Sequence, residues 1–398
     1  MSDRLTTRES GFSLLEMVIA MALGTLVLGA AVQIFSQGVA ATWTVSQRAE
    51  MQQDFRAASN MLIKDLSLAG AGLPNAAAIV LPSGVTPVYG CDQTGVCHLG
   101  AANNSAGIYP LQGATPYLYG LLPGYNVGPS ISTPPGQTDV VTVVYTDTAF
   151  YLNCYAPTVT AKGVVTFAPV VTVPATPWPP PGCLPSSVTA QAGVAPQNVN
   201  DTAAGLTPGD LVLMTLNGTT MVNEVTGAVT SPSANTFVVP FANSDALHMN
   251  QTPSAGGLNS VPIGATAAAT AAPCGRTGPC RLFVITYYID GTVTPPRLMR
   301  QVNGHTPMPV ADSTVYMKFS YDLFNDATAT PAINQPNPGS GDANDTASNG
   351  LLPNQITKIN ILHMATDSAL HGTQGYQGLD LETSVSARNL TYANNYPN

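Results

Sequence analysis

Positive charge is what this chain has least of. Only 13 of its 398 residues are Lys or Arg, and charged residues of both signs make up 9%, against roughly 25% in ordinary soluble proteins. Between Leu66 and Cys274 the sole basic residue is Lys162, set against seven acids. A surface that binds phosphates needs clustered Lys and Arg. Nucleic-acid binding is therefore disfavoured over that half of the chain, and no nucleic-acid partner is expected. Arg276, Arg281, Arg297 and Arg300 add little information.

Catalytic patterns are also missing. There is no G-x-S-x-G, no H-E-x-x-H, no phosphate-cradling Walker loop and no G-x-G-x-x-G after a strand. The five histidines, His98, His248, His305, His363 and His371, are scattered. His98 follows Cys97, but one neighbour does not make a zinc site, and His363 sits in a strand-like run where a hydrogen-bonded role is the default. The expectation is a protein that is not an enzyme, with no cofactor and no metal site. A charge-poor chain rich in Gly and Pro, 36 and 34 residues, suits a loop-rich, β-leaning extracytoplasmic protein of one large or two medium domains.

The cysteines number six: Cys91, Cys97, Cys154, Cys183, Cys274 and Cys280. "CDQTGVC" and "CGRTGPC" share a C-x5-C frame around a Thr-Gly turn. Local pairing of 91 with 97 and 274 with 280, leaving 154 with 183, is the simplest of the 15 arrangements six cysteines allow. A metal site is the rival, but zinc sites space cysteines more closely. Disulfides imply an oxidising compartment.

Charge vanishes altogether after Glu16 and does not return until Arg48. Met17–Val32 is apolar apart from Thr25 and two glycines, and Ile34 and Phe35 extend the run. About 20 such residues span a bilayer as a helix. Arg4 and Arg8 precede the run, which keeps residues 1–11 cytoplasmic by the positive-inside tendency, though the leader's net charge is zero. No A-x-A-like cleavage site follows the apolar core, as an ordinary secretory signal would require. Glu16 sits in the leading edge of the run, where an unpartnered carboxylate costs several kcal/mol. A cut between Gly11 and Phe12 would create an α-amino group within one turn of it, a natural counter-ion.

"GFSLLE" followed by an uncharged apolar helix resembles the class III signal of type IV prepilins and pseudopilins. The resemblance implies that prepilin peptidase cuts between Gly11 and Phe12 and methylates the new terminus. It also implies that Glu16 pairs with the N-terminal amine of an adjacent subunit during assembly.

No proline interrupts residues 39–69, and Val39, Trp43, Met51, Phe55, Ala58, Leu62, Leu66 and Ala69 recur at helical spacing, with Gln47 filling the one gap. Gly70, Gly72 and Pro74 end the pattern. A helix over residues 12–70 is roughly 88 Å long at about 1.5 Å per residue, membrane-spanning over about 17–35, its second half packed on the domain that follows. "RAASNMLIKDLSLAG" (56–70) is similar to the helix end of PilW-type minor pilins. Arg56, Asp65, Leu66, Ala69 and Gly70 match, while Ala57 stands where an aromatic is common. The mid-helix proline of many major pilins is absent, and Gln33 lies in that region.

From 71 to 398 the pattern is of strands and loops, so the expected fold is α+β: a long N-terminal helix on a β-rich pilin-like domain. Strand-like runs fall at 138–153, 209–227, 281–304, 313–324, 356–366 and 380–395, with Asp290-Gly291 marking a hairpin. A yyI…LxR hairpin, a late strand and an Arg388-Asn389 ending again resemble the PilW-type domain. Residues 82–208 read as an irregular Pro-rich region, including "TPWPPPGC" (176–183) and the aromatic "PYLYGLLPGY" (116–125). Both are expected to be core and loop supports rather than a binding surface. Asp326, Asp342, Asn344 and Asp345 offer oxygen ligands in the loop 325–350, but without calcium-loop spacing a solvated loop is expected.

These readings point to a PilW-like minor pilin acting in priming or at the tip. The implied partners are other major and minor pilins, prepilin peptidase, inner-membrane pilus assembly machinery and membrane lipid. The implied place is the inner membrane, single-pass with a periplasmic domain, then the pilus at the cell surface. The alternatives are a type II secretion pseudopilin, an adhesin-like tip pilin and a membrane-anchored enzyme.

Overall fold

The computed structural model describes residues 11–74, 78–82, 85, 87–99, 117–132, 136–147, 149–170, 198–233, 235–250, 257–267, 278–325, 330–336, 338, 351–367 and 378–390. Helix α1 covers Leu14–Ser67. Its sequence favours a helix throughout: Ala, Leu, Met and Gln dominate and no proline breaks the ladder. Leu68 caps its C-terminus, with the amide reaching Asp65 and Leu66 carbonyls. Gly70 and Gly72 then take left-handed φ of 78° and 72°, which glycine adopts without strain, and the chain turns away.

The strands that follow are β1 (Ala78–Val80), β2 (Tyr117–Tyr119), β3 (Leu121–Gly124), β4 (Ser130–Ser132), β5 (Gly136–Gln137), β6 (Val140–Thr146), β7 (Tyr155–Ala161), β8 (Val164–Pro169), β9 (Leu211–Leu216) and β10 (Thr219–Glu224). After these come β11 (Thr230–Ser233), β12 (Thr236–Pro240), β13 (Cys280–Asp290), β14 (Arg297–Val302), β15 (Met308–Asp312), β16 (Thr314–Asn325), β17 (Thr330–Gln335), β18 (Ile356–Asp367) and β19 (Gly378–Ser386). Every pairing is antiparallel. A seven-stranded sheet is built around β13, which pairs with β6, β9 and β14. Two four-stranded sheets, β11-β12-β8-β7 and β17-β16-β18-β19, flank it, and β1-β2 and β4-β5 form ribbons.

Strand β13 reads as a continuous apolar run because both of its faces are covered. Ile285, Tyr287 and Ile289 join the core that holds the end of α1, whereas Leu282, Val284 and Tyr288 join the core on the opposite face. A third core lies between β7, β8, β12 and the outer face of β9 and β10. The α+β class is as expected, and the segments 313–324 and 356–366 appear as β16 and β18.

Three expectations are corrected. The apolar stripe of α1 is buried from Phe55 onward, but Val39 and Trp43 are exposed and Met51 only half-buried. Among the described residues, full burial by the globular domain reaches no farther along the helix than Phe55, and a stripe of helical period equally suits a lipid or a neighbouring subunit. The interval 82–208 is not irregular throughout: it supplies β2 to β8, and β6 lies between β3 and β13 in the large sheet. Valine-rich "VVTVVYT" there outweighs the surrounding prolines. The Asp290-Gly291 hairpin exists, but Asp290 pairs with Arg297 across a longer loop. A tight two-residue hairpin is at Asn217-Gly218, both with positive φ of 50° and 78°, where Leu216 faces Thr219, as an Asn-Gly type I′ turn demands. "TPWPPPGC" and the four calcium-ligand candidates lie outside the described residues. In "PYLYGLLPGY", Leu118, Tyr119, Leu121 and Leu122 are buried, as expected of a core segment, and Tyr125 is exposed.

Cys91 is bonded to Cys97. Cys280 is disulfide-bonded, and Cys274 lies outside the described residues. Cys154 is buried, and Cys183 also lies outside them. Beneath the 91–97 loop sits a buried acid, Glu224, fully enclosed at the end of β10. Its carboxylate accepts from the Leu247 amide at 2.8 Å and from the Gln93 side chain. Burial pushes its pKa up to about 8, the Leu247 amide opposes the rise and neighbouring Asp245 adds to it. A neutral Glu224 therefore favours the folded state. That contribution is fully present below the ordinary value of 4.5 and is lost as pH rises through the folded value. The urea midpoint of the full chain is expected to fall between about pH 5 and about pH 8, and Glu224→Gln to flatten that slope. An unchanged slope in the variant would show that the pH dependence arises elsewhere.

Candidate assembly site

The N-terminal end begins as extended chain. Gly11 and Phe12 precede the helix and are exposed, Phe12 at 93%. A Cβ built on Gly11 meets nothing within 4 Å, so the bond between them stands clear of the protein. Ser13 is the N-cap, with extended φ and ψ of −74° and 147°. Its hydroxyl accepts from the Glu16 amide at 3.2 Å, and its own amide donates to Glu16 Oε2 at 2.9 Å. This reciprocal capping box satisfies two of the amides that every helix start leaves without partners. The helix dipole further favours an anion at this position. Glu16 thus has a local partner at the helix start, a signal present in the sequence as Ser13-x-x-Glu16.

From Leu14 through Glu50 the helix is exposed except for half-buried Gln47. It is one helix long and apolar enough to cross a membrane, and none of its most apolar window is buried.

The other end of α1 is seated in the domain. Phe55, Ala58, Leu62, Leu66 and Ala69 share one core with residues of β13 to β16, β18 and β19, and the helix lies closest to β15, β19 and β18. Full burial of a Phe or Leu side chain stabilises by about 1.5–3 kcal/mol, so these residues supply most of the adhesion. Asp65 supplies the register. Its Oδ2 accepts from Tyr287 Oη at 2.7 Å and from Arg300 Nε at 2.8 Å. Arg300 Nε also reaches Tyr287 Oη at 3.1 Å. Burial and the nearby Asp65 charge push the Tyr287 hydroxyl upward, so it stays protonated and donates. Burial alone would lower the Arg300 pKa, but its bond to Asp65 outweighs this and raises it. Sliding the helix by one turn, about 5.4 Å, would strand a buried carboxylate.

Two further contacts close the seat. The Gly70 amide donates to the Val144 carbonyl at 2.9 Å. Asn389 Nδ2 donates to the Ser67 carbonyl at 3.2 Å, covering an acceptor that the helix end leaves open. The helix end "DLSLAG", the hairpin residues Tyr287 and Arg300, and the closing Arg388-Asn389 pair are far apart in sequence. Asp65, Tyr287, Arg300 and Asn389 bring these three segments to one place.

Residues 6–32 match the family model of the prokaryotic N-terminal methylation motif. The match takes in the Gly11–Phe12 bond, Glu16 and most of the apolar run, less than a tenth of the chain. No curated protein and no solved structure matches the chain. The motif supports a type IV pilin-like protein processed by prepilin peptidase. Together with the apolar helix it supports anchoring in a membrane and display on a pilus or cell surface.

The seat is open to direct measurement. Arg300→Met leaves Asp65 buried without its cation and is expected to cost about 3 kcal/mol in urea unfolding of the full chain. Asp65→Asn in the same background should recover part of that loss, because the two sites are coupled. Strictly additive losses would remove the register role given to the pair.

Proposed function

We propose that this chain is a PilW-like minor pilin, cut after Gly11, methylated at Phe12 and incorporated into a type IV pilus in a priming or tip complex. The observation that carries the finer reading is the seat of α1. The segments that resemble the PilW-type pattern, "DLSLAG", the Tyr287–Arg300 hairpin and Arg388-Asn389, are those that meet there. A resemblance spread along a chain gains weight when its parts form one physical unit.

The mechanism is electrostatic and hydrophobic, with no catalytic step. In the precursor, Ser13 holds Glu16 through one oxygen. Glu16 Oε1 makes no hydrogen bond among the described residues, which leaves it to accept an amine. Cleavage creates that amine on Phe12 of a neighbouring subunit, and a low-dielectric surround strengthens the pairing. Exposed Leu14, Leu26, Ile34 and Phe35 supply apolar surface for lipid first and for neighbouring pilins afterwards. The domain is read as periplasmic before assembly, in keeping with the bonded Cys91 and Cys97. The bulk of the part beyond residue 70 suits a subunit used sparingly rather than one stacked in thousands.

Three measurements test this. The chain recovered from its native membrane is expected to begin at N-methylated Phe12 by intact mass and peptide mapping. A chain beginning at Met1, in cells with active prepilin peptidase, would remove the pilin pathway. Glu16→Ala is expected to leave membrane insertion intact and to abolish recovery of the protein in sheared pili. Loss of type II secretion with normal piliation on deletion would instead assign a pseudopilin.

A further inference from the structure

We propose that the outer face of β18 and β19 carries a binding site for a divalent transition-metal ion such as Zn²⁺, held by His363, Asp380 and Glu382. The sequence offers no sign of it, because His363 lies seventeen residues from Asp380 and no ligand spacing links them. The structure places one donor atom of each within 4.8 Å of the others. His363 Nδ1 is 2.8 Å from Asp380 Oδ2 and 4.0 Å from Glu382 Oε1.

A local irregularity of the sheet produces this grouping. Ile361 pairs with Thr383 and Met364 with Leu381, so Leu362 and His363 together oppose Glu382. The same bulge appears against β16, where Lys318 pairs with His363 but Phe319 with Ile361. Burial changes phase across it: Ile359 and Ile361 point inward before, Met364 and Thr366 after. In an unbroken strand one of Leu362 and His363 would face the core. The bulge turns both outward and places the imidazole over the two acids, as bulges do where a side chain must be re-aimed.

Charge gives the second, independent reason. Asp380 and Glu382 are two residues apart on one strand and so share a face. Among the described residues, the only basic group within ion-pair range of either is His363. Lys318, its register partner, is committed instead to Asp139 at 2.6 Å. Lys358 lies toward Asp322 at 3.7 Å. Two carboxylates on one face repel each other, and among the described residues no Lys or Arg lies within ion-pair range to offset them. A divalent cation would.

The donor set decides the class of ion. One imidazole with two carboxylates suits Zn²⁺, Cu²⁺ or Ni²⁺, whereas Ca²⁺ and Mg²⁺ prefer oxygen throughout. At Zn–N and Zn–O lengths of about 2.0–2.2 Å, tetrahedral donors stand about 3.4 Å apart. Side chains this exposed reach that spacing with small rotations on a fixed backbone. Three donors leave one position for water or an outside ligand.

The test uses the untagged full chain in detergent micelles, stripped with chelator and titrated calorimetrically with Zn²⁺ alone, with Co²⁺ as an optical probe. One equivalent of Zn²⁺ and a nitrogen-ligated Co²⁺ spectrum are expected. His363→Gln and the pair Asp380→Asn/Glu382→Gln should each abolish that one-ion isotherm while leaving circular dichroism unchanged, because all three side chains lie on the surface. No stoichiometric binding by the native chain would overturn the site. Equal binding in both variants would place the ion elsewhere and overturn it too. Displacement of Zn²⁺ by equimolar Ca²⁺ would overturn the class of ion.

Discussion

A single buried carboxylate decides how this molecule is put together. Asp65 lies at the end of a helix otherwise held by apolar side chains, and apolar contacts alone tolerate sliding and rotation. The bonds to Tyr287 and Arg300 are directional, and only one depth and one rotation of α1 satisfies them. Everything beyond follows from that choice: which residues of α1 face the sheet, where Gly70 turns the chain, and which side of β13 is left for the second core. The pair is best understood as a device of register, since buried ion pairs add little stability beyond what well-packed apolar groups provide.

The same economy of charge runs through the domain. Basic residues are few, yet Arg281, Arg300 and Lys318 are each directed at a buried carboxylate: Asp147, Asp65 and Asp139. Arg281 also lies over the rings of Phe150 and Phe283, and its guanidinium reaches the carbonyls of Ala204 and Gly205 at 3.1 Å. These three cations fasten separate parts of the domain to one another. The other basic residues, among them exposed Arg48, Arg56, Lys162, Lys358 and Arg388, are scattered along the chain, so the sequence contains no basic patch to read.

The sequence made legible whatever depends on local order. The apolar run, the cleavage and methylation signal, the α+β class and the strands of Val, Ile and Tyr are all patterns of neighbours. The 91–97 disulfide was legible for the same reason. The capping box at Ser13 and the Asn217-Gly218 turn were equally local, and a closer reading of spacing finds both. What was hidden is what the fold brings together. Asp65 meets Arg300 only because β13 and β14 form a hairpin beside the helix. His363 meets Asp380 only through a bulge that no composition announces. The strand run that holds β6 was legible at 138–153, but its place between β3 and β13 depends on partners far along the chain.

The close approach of Gly70 and Gly120 gives the seat a geometric consequence. A Cβ on Gly120 would lie 2.5 Å from Gly70 Cα, so the helix end and the corner between β2 and β3 touch backbone to backbone. The seated part of α1, from Phe55 to Leu66, is about 16 Å long, and the part beyond it about 60 Å. The helix is therefore a pointer with its pivot in the domain. A wedge that shifts one end of the seat by about 1 Å swings the far tip by almost 4 Å on that ratio, about the width of a side-chain contact. Two glycines deep in the globular domain thereby set the aim of a distant N-terminus.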